Sequence, residues 1–261
     1  MFVDTHTHLF TKEFDEDRSE VVQAARDAGI DLMLLPNIDV SSISRLDEMT
    51  KDFQGVCIGM MGLHPSNVDV NWQQELETIR QALFSNDNYC AVGEIGMDLY
   101  WDKAYLEPQK EVFRTQLEWA KELEKPVAIH AREAFDEIFE IMDEVNDDRL
   151  TGVFHCFTGS FDQAKHALSY GGFKLGIGGV VTFKNGGLDK TLIDIPLDEL
   201  VLETDSPYLA PTPFRGNRNE TKYLLHVAEK LAAIYNVHLK EVERVTTKNA
   251  VALFKLEKYI S

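Results

Sequence analysis

The sequence predicts a single (β/α)8 TIM barrel, one domain spanning residues 1–261. Three observations predict it. Short apolar, β-rich runs alternate with amphipathic stretches from end to end, which is the pattern of a parallel sheet with helical crossovers. Those runs can be counted as eight, the strand number of the barrel. The length of 261 residues suits one such unit, which takes about 250 residues, and no Gly/Ser linker, low-complexity tract or internal repeat divides the chain.

The elements follow in order. A strand at Phe2–Asp4 leads to a helical pattern over Glu16–Ala28, and strands at Leu32–Leu35 and Val56–Met60 precede a helix over Gln73–Phe84. The strand Cys90–Gly93 leads to a helix over Pro108–Glu124. There Phe113, Gln116, Leu117, Ala120 and Leu123 recur at helical spacing behind a proline suited to a first turn. Strands at Val127–Ile129 and Gly152–Phe154 alternate with helices over Phe135–Val145 and Phe161–Ser169. Phe173–Ile177 and Leu200–Leu202 complete the strands, and Lys222–Tyr235 and Leu239–Leu256 close the chain as helices. The first strand–helix turn, HTHLFTKEF, lacks a G-x-G-x-x-G phosphate loop, which argues against an open dinucleotide-binding sheet.

A hydrophobic fraction of 44% with 27% charged residues is ordinary globular usage and supports a sizeable core. The 44 acidic residues outnumber 26 basic ones, giving −18, and a field of that sign repels nucleic acid and anionic membranes at long range. Any polyanion must therefore be held locally, by metal and a few basic residues. Cys57, Cys90 and Cys156 lie in apolar stretches without C-x-x-C spacing, so neither a disulfide framework nor a structural zinc site is expected, and a reducing cytoplasm fits. The amino terminus has no signal-peptide character, and no run approaches the roughly 20 apolar residues of a membrane span. No obligate protein partner is evident.

Barrel chemistry sits at the carboxyl ends of the strands. Those ends carry His6, His8, His64, Glu94, His130, His155 and Asp205, so five of the eight histidines gather there. His166, His226 and His238 fall in helical or connecting segments. His6 and His8 form H-x-H, and residues two apart in an extended chain share a face, so both imidazoles can converge on one ion. Alone, the pair reads equally as polar caps over the core. Glu94 in VGEIGMD follows an apolar strand, where a carboxylate without a partner would be expensive to bury. With imidazoles converging from other strands, a carboxylate bridging two ions is the better account. His130 ends PVAIH and His155 ends GVFH, each at the rim of its strand. Asp205 in LVLETDSPYL suits a ligand that also accepts a proton from water, and Glu203, two residues earlier, suits an orienting role behind a ligand.

Weaker signals surround these. His64, in GLHP, fits either substrate contact or a structural cap. Arg132, Lys184, Arg215 and Arg218 fall in loops of the catalytic face and could supply local phosphate contacts, although each alone reads as a surface charge. Cys156 reads as a small buried hydrophobe rather than a nucleophile.

In order along the chain, VDTHTHL, GLHP, VGEIGMD, PVAIHAR, FHCFTG and LETDSPYLAP closely resemble the TatD-related DNases of the amidohydrolase superfamily, from Val3 to about Phe254. The resemblance implies a two-metal phosphodiesterase. His6 and His8 would hold one ion and His130 and His155 the other, with Glu94 bridging, Asp205 on the first ion and His64 assisting phosphate binding. It further implies action on DNA, often as an Mg²⁺- or Mn²⁺-dependent 3′–5′ exonuclease on single strands. Charge then casts Asp205 as proton acceptor, with the metal pair stabilising the entering and leaving oxygens. Nitrogen-rich ligation suits zinc or manganese better than magnesium, so donor chemistry and family expectation differ over the working ion.

Other readings share the barrel. A small-molecule amidohydrolase or lactonase of phosphotriesterase type would bridge its ions with a carboxylated lysine, and Glu94 stands at that strand end instead. The polymerase-and-histidinol-phosphatase type also opens on H-x-H, but its later D-x-H signature is absent from LETDSPYL. A binding protein on a decayed barrel conflicts with a full set of ligand positions.

Overall fold

The structure is a computed structural model that describes residues 1–100 and 103–260. Trp101, Asp102 and Ser261, which the predicted domain includes, lie outside the described residues. The chain alternates strands and helices: β1 (Phe2–Asp4), α1 (Arg18–Asp27), β2 (Ile30–Pro36), α2 (Ile43–Asp52), β3 (Cys57–Met60), α3 (Trp72–Ser85), β4 (Val92–Asp98), α4 (Leu106–Leu123) and β5 (Val127–Arg132). It continues with α5 (Phe135–Val145), β6 (Gly152–His155), α6 (Phe161–Ser169), β7 (Phe173–Ile177), α7 (Leu188–Leu192), β8 (Leu200–Leu202), α8 (Leu224–Tyr235) and α9 (Leu239–Phe254).

All neighbouring strands run parallel, in the orders β1-β2-β3 and β4-β5-β6-β7-β8. Two seams join these arcs into a barrel. Between β3 and β4, Met61 bridges Val92, and Cys90 N donates to Gly59 O at 2.9 Å. Between β8 and β1, Thr7 bridges Ser206, and Thr5 N donates to Leu202 O at 2.9 Å. The predicted (β/α)8 barrel is the fold observed.

Strands in such a barrel are buried on both faces, so the period-2 alternation separates two apolar layers rather than core from solvent. In β2, Leu32 and Leu34 join Val3, Ile58, Met60, Ala128, Val153 and Val201 in the barrel interior, which Phe254 at the end of α9 and Leu256 beyond it close at one end. Met33 and Leu35 point the other way, into the larger layer beneath the helices. The interior parity carries upward to the site. Ala128 leads to His130 and Arg132, Val153 to His155, and Val201 to Glu203 and Asp205, each two residues further along the same face.

β4 departs from this rule. Its register with β5 shifts between Val92 and Ile95, so both Gly93 and Glu94 fall on the inner side while Ile95 and Met97 pack outward. An extra residue in one strand re-aims the following side chain, as β-bulges near active sites do. Gly96 lets the bulged strand lie close to β5, since a Cβ there would stand 2.1 Å from His130 O, and its φ of +136° favours glycine.

Several predicted boundaries shift. Glu94 and His130 sit inside β4 and β5 rather than after them, because pairing runs on to Asp98 and Arg132. His6 and His8 lie just past β1, yet the extended pairing continues through them. His8 N donates to Ser206 O at 2.8 Å, and Asp205 N to His6 O at 2.9 Å. The short helices α2 and α7 were not among the predicted ones. Among the described residues no helix is long and apolar enough to cross a membrane.

Candidate metal centre

Glu94 stands at the middle of the barrel mouth, and its two oxygens face different histidines. Oε2 lies 3.1 Å from His6 Nε2 and 3.7 Å from His8 Nε2. Oε1 lies 2.8 Å from His130 Nδ1, 3.3 Å from His64 Nε2 and 3.7 Å from His155 Nε2. Asp205 Oδ1 adds a second carboxylate beside the first group, 3.4 Å from His8 Nε2 and 3.9 Å from His6 Nε2, and also lies 3.8 Å from His155 Nε2. The six residues predicted as a metal set therefore converge, from the segment after β1, from β4, β5 and β6, and from the segment after β8.

Their electrostatics follow from crowding in a buried space. Burial opposes ionisation of Glu94, but the charges of His64, His6 and His155 outweigh it and hold the carboxyl well below the usual carboxylate range. Burial pushes His6 down to about 4, reinforced by the neighbouring His155. Burial also opposes protonation of His155 and His130, yet Glu203 and Glu94 raise the first to about 10, and Asp98 and Glu94 raise the second to about 9. Positive charge is thus demanded by the carboxylates and, without a cation, is supplied by imidazolium.

Divalent metal fits this demand with the imidazoles neutral. Ring nitrogens of His6 and His8 and an oxygen of Asp205 lie within 4.8 Å of one another, as do donor atoms of His64, Glu94 and His130. Imidazole and carboxylate are the donor types that zinc, manganese and related ions accept. The buried Nδ1 atoms of His6 and His8 and Glu203 Oε2 have no hydrogen-bond partner, which leaves them available to orient a loaded site.

Supporting residues lie behind these donors. Glu203 Oε1 is 2.9 Å from His155 Nδ1 and accepts a 2.5 Å bond from Cys156 N. Asp98 was missed from sequence. Its Oδ2 lies 3.0 Å from His130 Nε2, on the ring edge turned away from Glu94, and its own backbone is clamped by the Gln109 side chain. The available signal was the spacing Glu94, Gly96, Asp98, which places all three on one face of a strand. Asp4 was also missed. It is fully buried, accepts from Thr204 N at 3.0 Å and Thr204 Oγ1 at 2.6 Å, and so ties β1 to the segment after β8. Burial pushes its carboxyl up to about 7.

His64 takes the position of the predicted structural cap and also lines the cavity. Its Nδ1 accepts from Ser66 N at 3.1 Å, capping the turn at Pro65–Asn67, while Nε2 faces Glu94. Arg132 lines the cavity, its guanidinium 3.8 Å from the centre of the Tyr100 ring. Arg215 stacks 3.7 Å over Phe183 and does not line the cavity. Lys184 is exposed and also outside that lining. Arg218 is committed elsewhere, with Nη1 and Nη2 2.8 and 2.6 Å from the Asp17 carboxylate. Cys156 lines the cavity, but burial and the carboxylates of Asp205 and Glu203 push its thiol well above the usual range, against a nucleophile. The cavity above the cluster has a volume of about 670 Å³.

Residues 3–255 match the family described as TatD related DNase. YabD of Bacillus subtilis, described as an uncharacterized metal-dependent hydrolase, is 37% identical over 257 residues, covering 98% of this chain and 100% of its own. The 3′-5′ ssDNA/RNA exonuclease TatD of Pantoea vagans is 32% identical, covering 97% of this chain and 99% of its own. The crystal structure of the TatD homolog YJJV from Escherichia coli superposes with a TM-score of 0.91 at 29% identity, covering 97% of this chain and 98% of that one. The chain belongs to the TatD-related DNase family of metal-dependent hydrolases.

Proposed function

We propose that the chain, acting as one domain, hydrolyses phosphodiester bonds of DNA as a 3′–5′ exodeoxyribonuclease preferring single strands, with two divalent cations. The observation that carries the proposal is Glu94 between two groups of imidazoles, His6 and His8 on one side and His130 and His155 on the other. In this reading His6, His8 and Asp205 would hold one cation and His130 and His155 the other, with Glu94 as the ligand shared between them. The relatives named as ssDNA/RNA exonucleases support the substrate class. The free cysteines support a reducing, cytoplasmic setting.

A bound metal pair supplies Lewis-acid stabilisation of the phosphoryl oxygens. The residues do the rest. Asp205 is held ionised, since the contacts to His8 and His155 overcome its burial, so it can accept the proton of an attacking water. The water oxygen bonds to phosphorus as the bond to the leaving nucleoside oxygen breaks, and the proton held by Asp205 passes to that oxygen. Glu203 and Asp98 keep the rings of His155 and His130 in place. In this reading Arg132 and His64, which line the cavity, are the contacts for a substrate phosphate, and Arg215, outside that lining, is a further candidate. Magnesium or manganese is the ion this reading expects, while the imidazole-rich donors also accept zinc.

End-labelled single- and double-stranded DNA and RNA, together with a lactone, should be incubated with Mg²⁺, Mn²⁺ or Zn²⁺. Metal-dependent shortening of single-stranded DNA from its 3′ end is expected. Lactone turnover without DNA cleavage would overturn the proposal in favour of a small-molecule hydrolase.

A further inference from the structure

An acidic nuclease faces a physical difficulty, because it must hold a polyanion with little basic surface. The cavity wall shows a different means of grip. Beside the metal donors, Tyr208 and Leu209 line the cavity while remaining 49% and 40% exposed, an adjacent pair of large apolar side chains facing solvent. The centre of the Tyr208 ring lies 6.1 Å from that of His8.

This ledge is built rather than loose. Tyr208 N donates to Asp205 O at 2.8 Å, and the fully buried Asn219 spends its amide on Tyr208 O and Thr204 O, each at 2.7 Å. Leu209 takes a left-handed φ of +54°, which a side-chain-bearing residue adopts at a cost unless its surroundings enforce it. Gly179 is part of that enforcement, since any Cβ there would come 2.1 Å from Leu209 O. The backbone that carries Asp205 thus also fixes an exposed aromatic ring beside it.

We propose that Tyr208 and Leu209 form a stacking subsite for the terminal nucleobase of a single strand whose scissile phosphate lies at Glu94 and Asp205. The subsite rests on the phosphodiesterase reading above and deepens it. A base is flat and uncharged, so stacking on Tyr208 holds the strand without basic residues and without conflict with the −18 charge. A base paired within a duplex has its faces covered by its neighbours, so the ledge also selects an unstacked end. The Tyr208 hydroxyl can donate to the sugar or base edge.

The test compares a normal single strand with one carrying an abasic tetrahydrofuran residue at the cleaved end, for the wild type, Tyr208→Ala, Tyr208→Phe and Leu209→Ala. With the wild type, removing the base should lower kcat/KM about 5–150-fold, the worth of one stacked base. Tyr208→Ala should lose a similar factor on the normal strand and almost nothing further on the abasic one, Tyr208→Phe should retain stacking, and Leu209→Ala should lose less. A 2-aminopurine base at that end should be quenched on binding in the wild type and Tyr208→Phe. Multiplying losses for Tyr208→Ala and base removal, or equal quenching in Tyr208→Ala, would overturn the subsite while leaving DNA cleavage standing. A wild type that cleaves neither strand overturns the phosphodiesterase reading itself.

Discussion

The two ring nitrogens of His130 are both engaged by carboxylates of one strand, Nδ1 lying 2.8 Å from Glu94 Oε1 and Nε2 3.0 Å from Asp98 Oδ2. Asp98 thus orients the ring from behind, with Nδ1 presented to the cluster. Partners of this kind typically alter metal affinity by about 10–100-fold when removed. Asp98→Ala should weaken Mn²⁺ binding within that range, read by isothermal titration, while circular dichroism shows the barrel intact. Wild-type affinity in this variant would remove Asp98 from the site.

Asp4 provides a pH test of the fold that is independent of turnover. Its carboxyl moves from 3.8 to about 7 in the folded, metal-free chain because it is buried. Between those two values the folded state binds more protons than the unfolded state, so stability falls as pH rises through the window. The slope from this group approaches about 1.4 kcal/mol per pH unit. Asp4→Asn reproduces the neutral form, with an amide that can donate to Thr204 Oγ1. Urea unfolding in chelator should show a flatter dependence between pH 4 and pH 7 for the variant than for the wild type, and parallel curves would contradict the argument.

Much of this was legible in sequence, and the reasons differ by element. Strand runs such as Phe2–Asp4, Phe173–Ile177 and Leu200–Leu202 are bounded by polar or turn residues, so their limits match the structure. The alternation from Ala128 to His130 and from Val153 to His155 places ligands by parity alone. Glu94 was reached through its chemistry, but its orientation depends on a register shift that no periodicity reveals. Asp98 is not evident because the apolar run of this strand ends at Gly93, whereas β4 runs on to Asp98 and carries it on the face of Glu94. The short α2 buries only Leu46 and Met49 along its inner face, too few apolar positions to announce a helix. Arg218 looked available in sequence because its partner Asp17 is 201 residues away along the chain.

Salt dependence should reflect how few cationic groups meet the substrate. Arg132 is the one Lys or Arg lining the cavity among the described residues, and each phosphate neutralised on a single strand contributes a slope of about 0.7 in log K against log salt. Single-stranded DNA binding in chelator should therefore be weak, with a slope on the order of 1. Fluorescence anisotropy across a salt series measures it. A slope several times larger would reveal a basic groove beyond the cavity.

Asp205 differs from the other ligand candidates because it can serve both cation and proton. Its Oδ1 lies 3.4 Å from His8 Nε2, and its neighbours keep it ionised. Asp205→Asn preserves size and hydrogen-bonding reach but removes the basicity. A positioned acid–base group contributes about 10²–10⁴ to the rate, so kcat on single-stranded DNA should fall by at least that range while KM changes little. Loss of metal would lower kcat as well, through the weaker ligand rather than the missing base. Measurement at saturating Mn²⁺, with occupancy determined on the same sample, separates the two. Full occupancy with a collapsed kcat assigns the proton to Asp205, whereas full occupancy with near-native kcat means that another group accepts it.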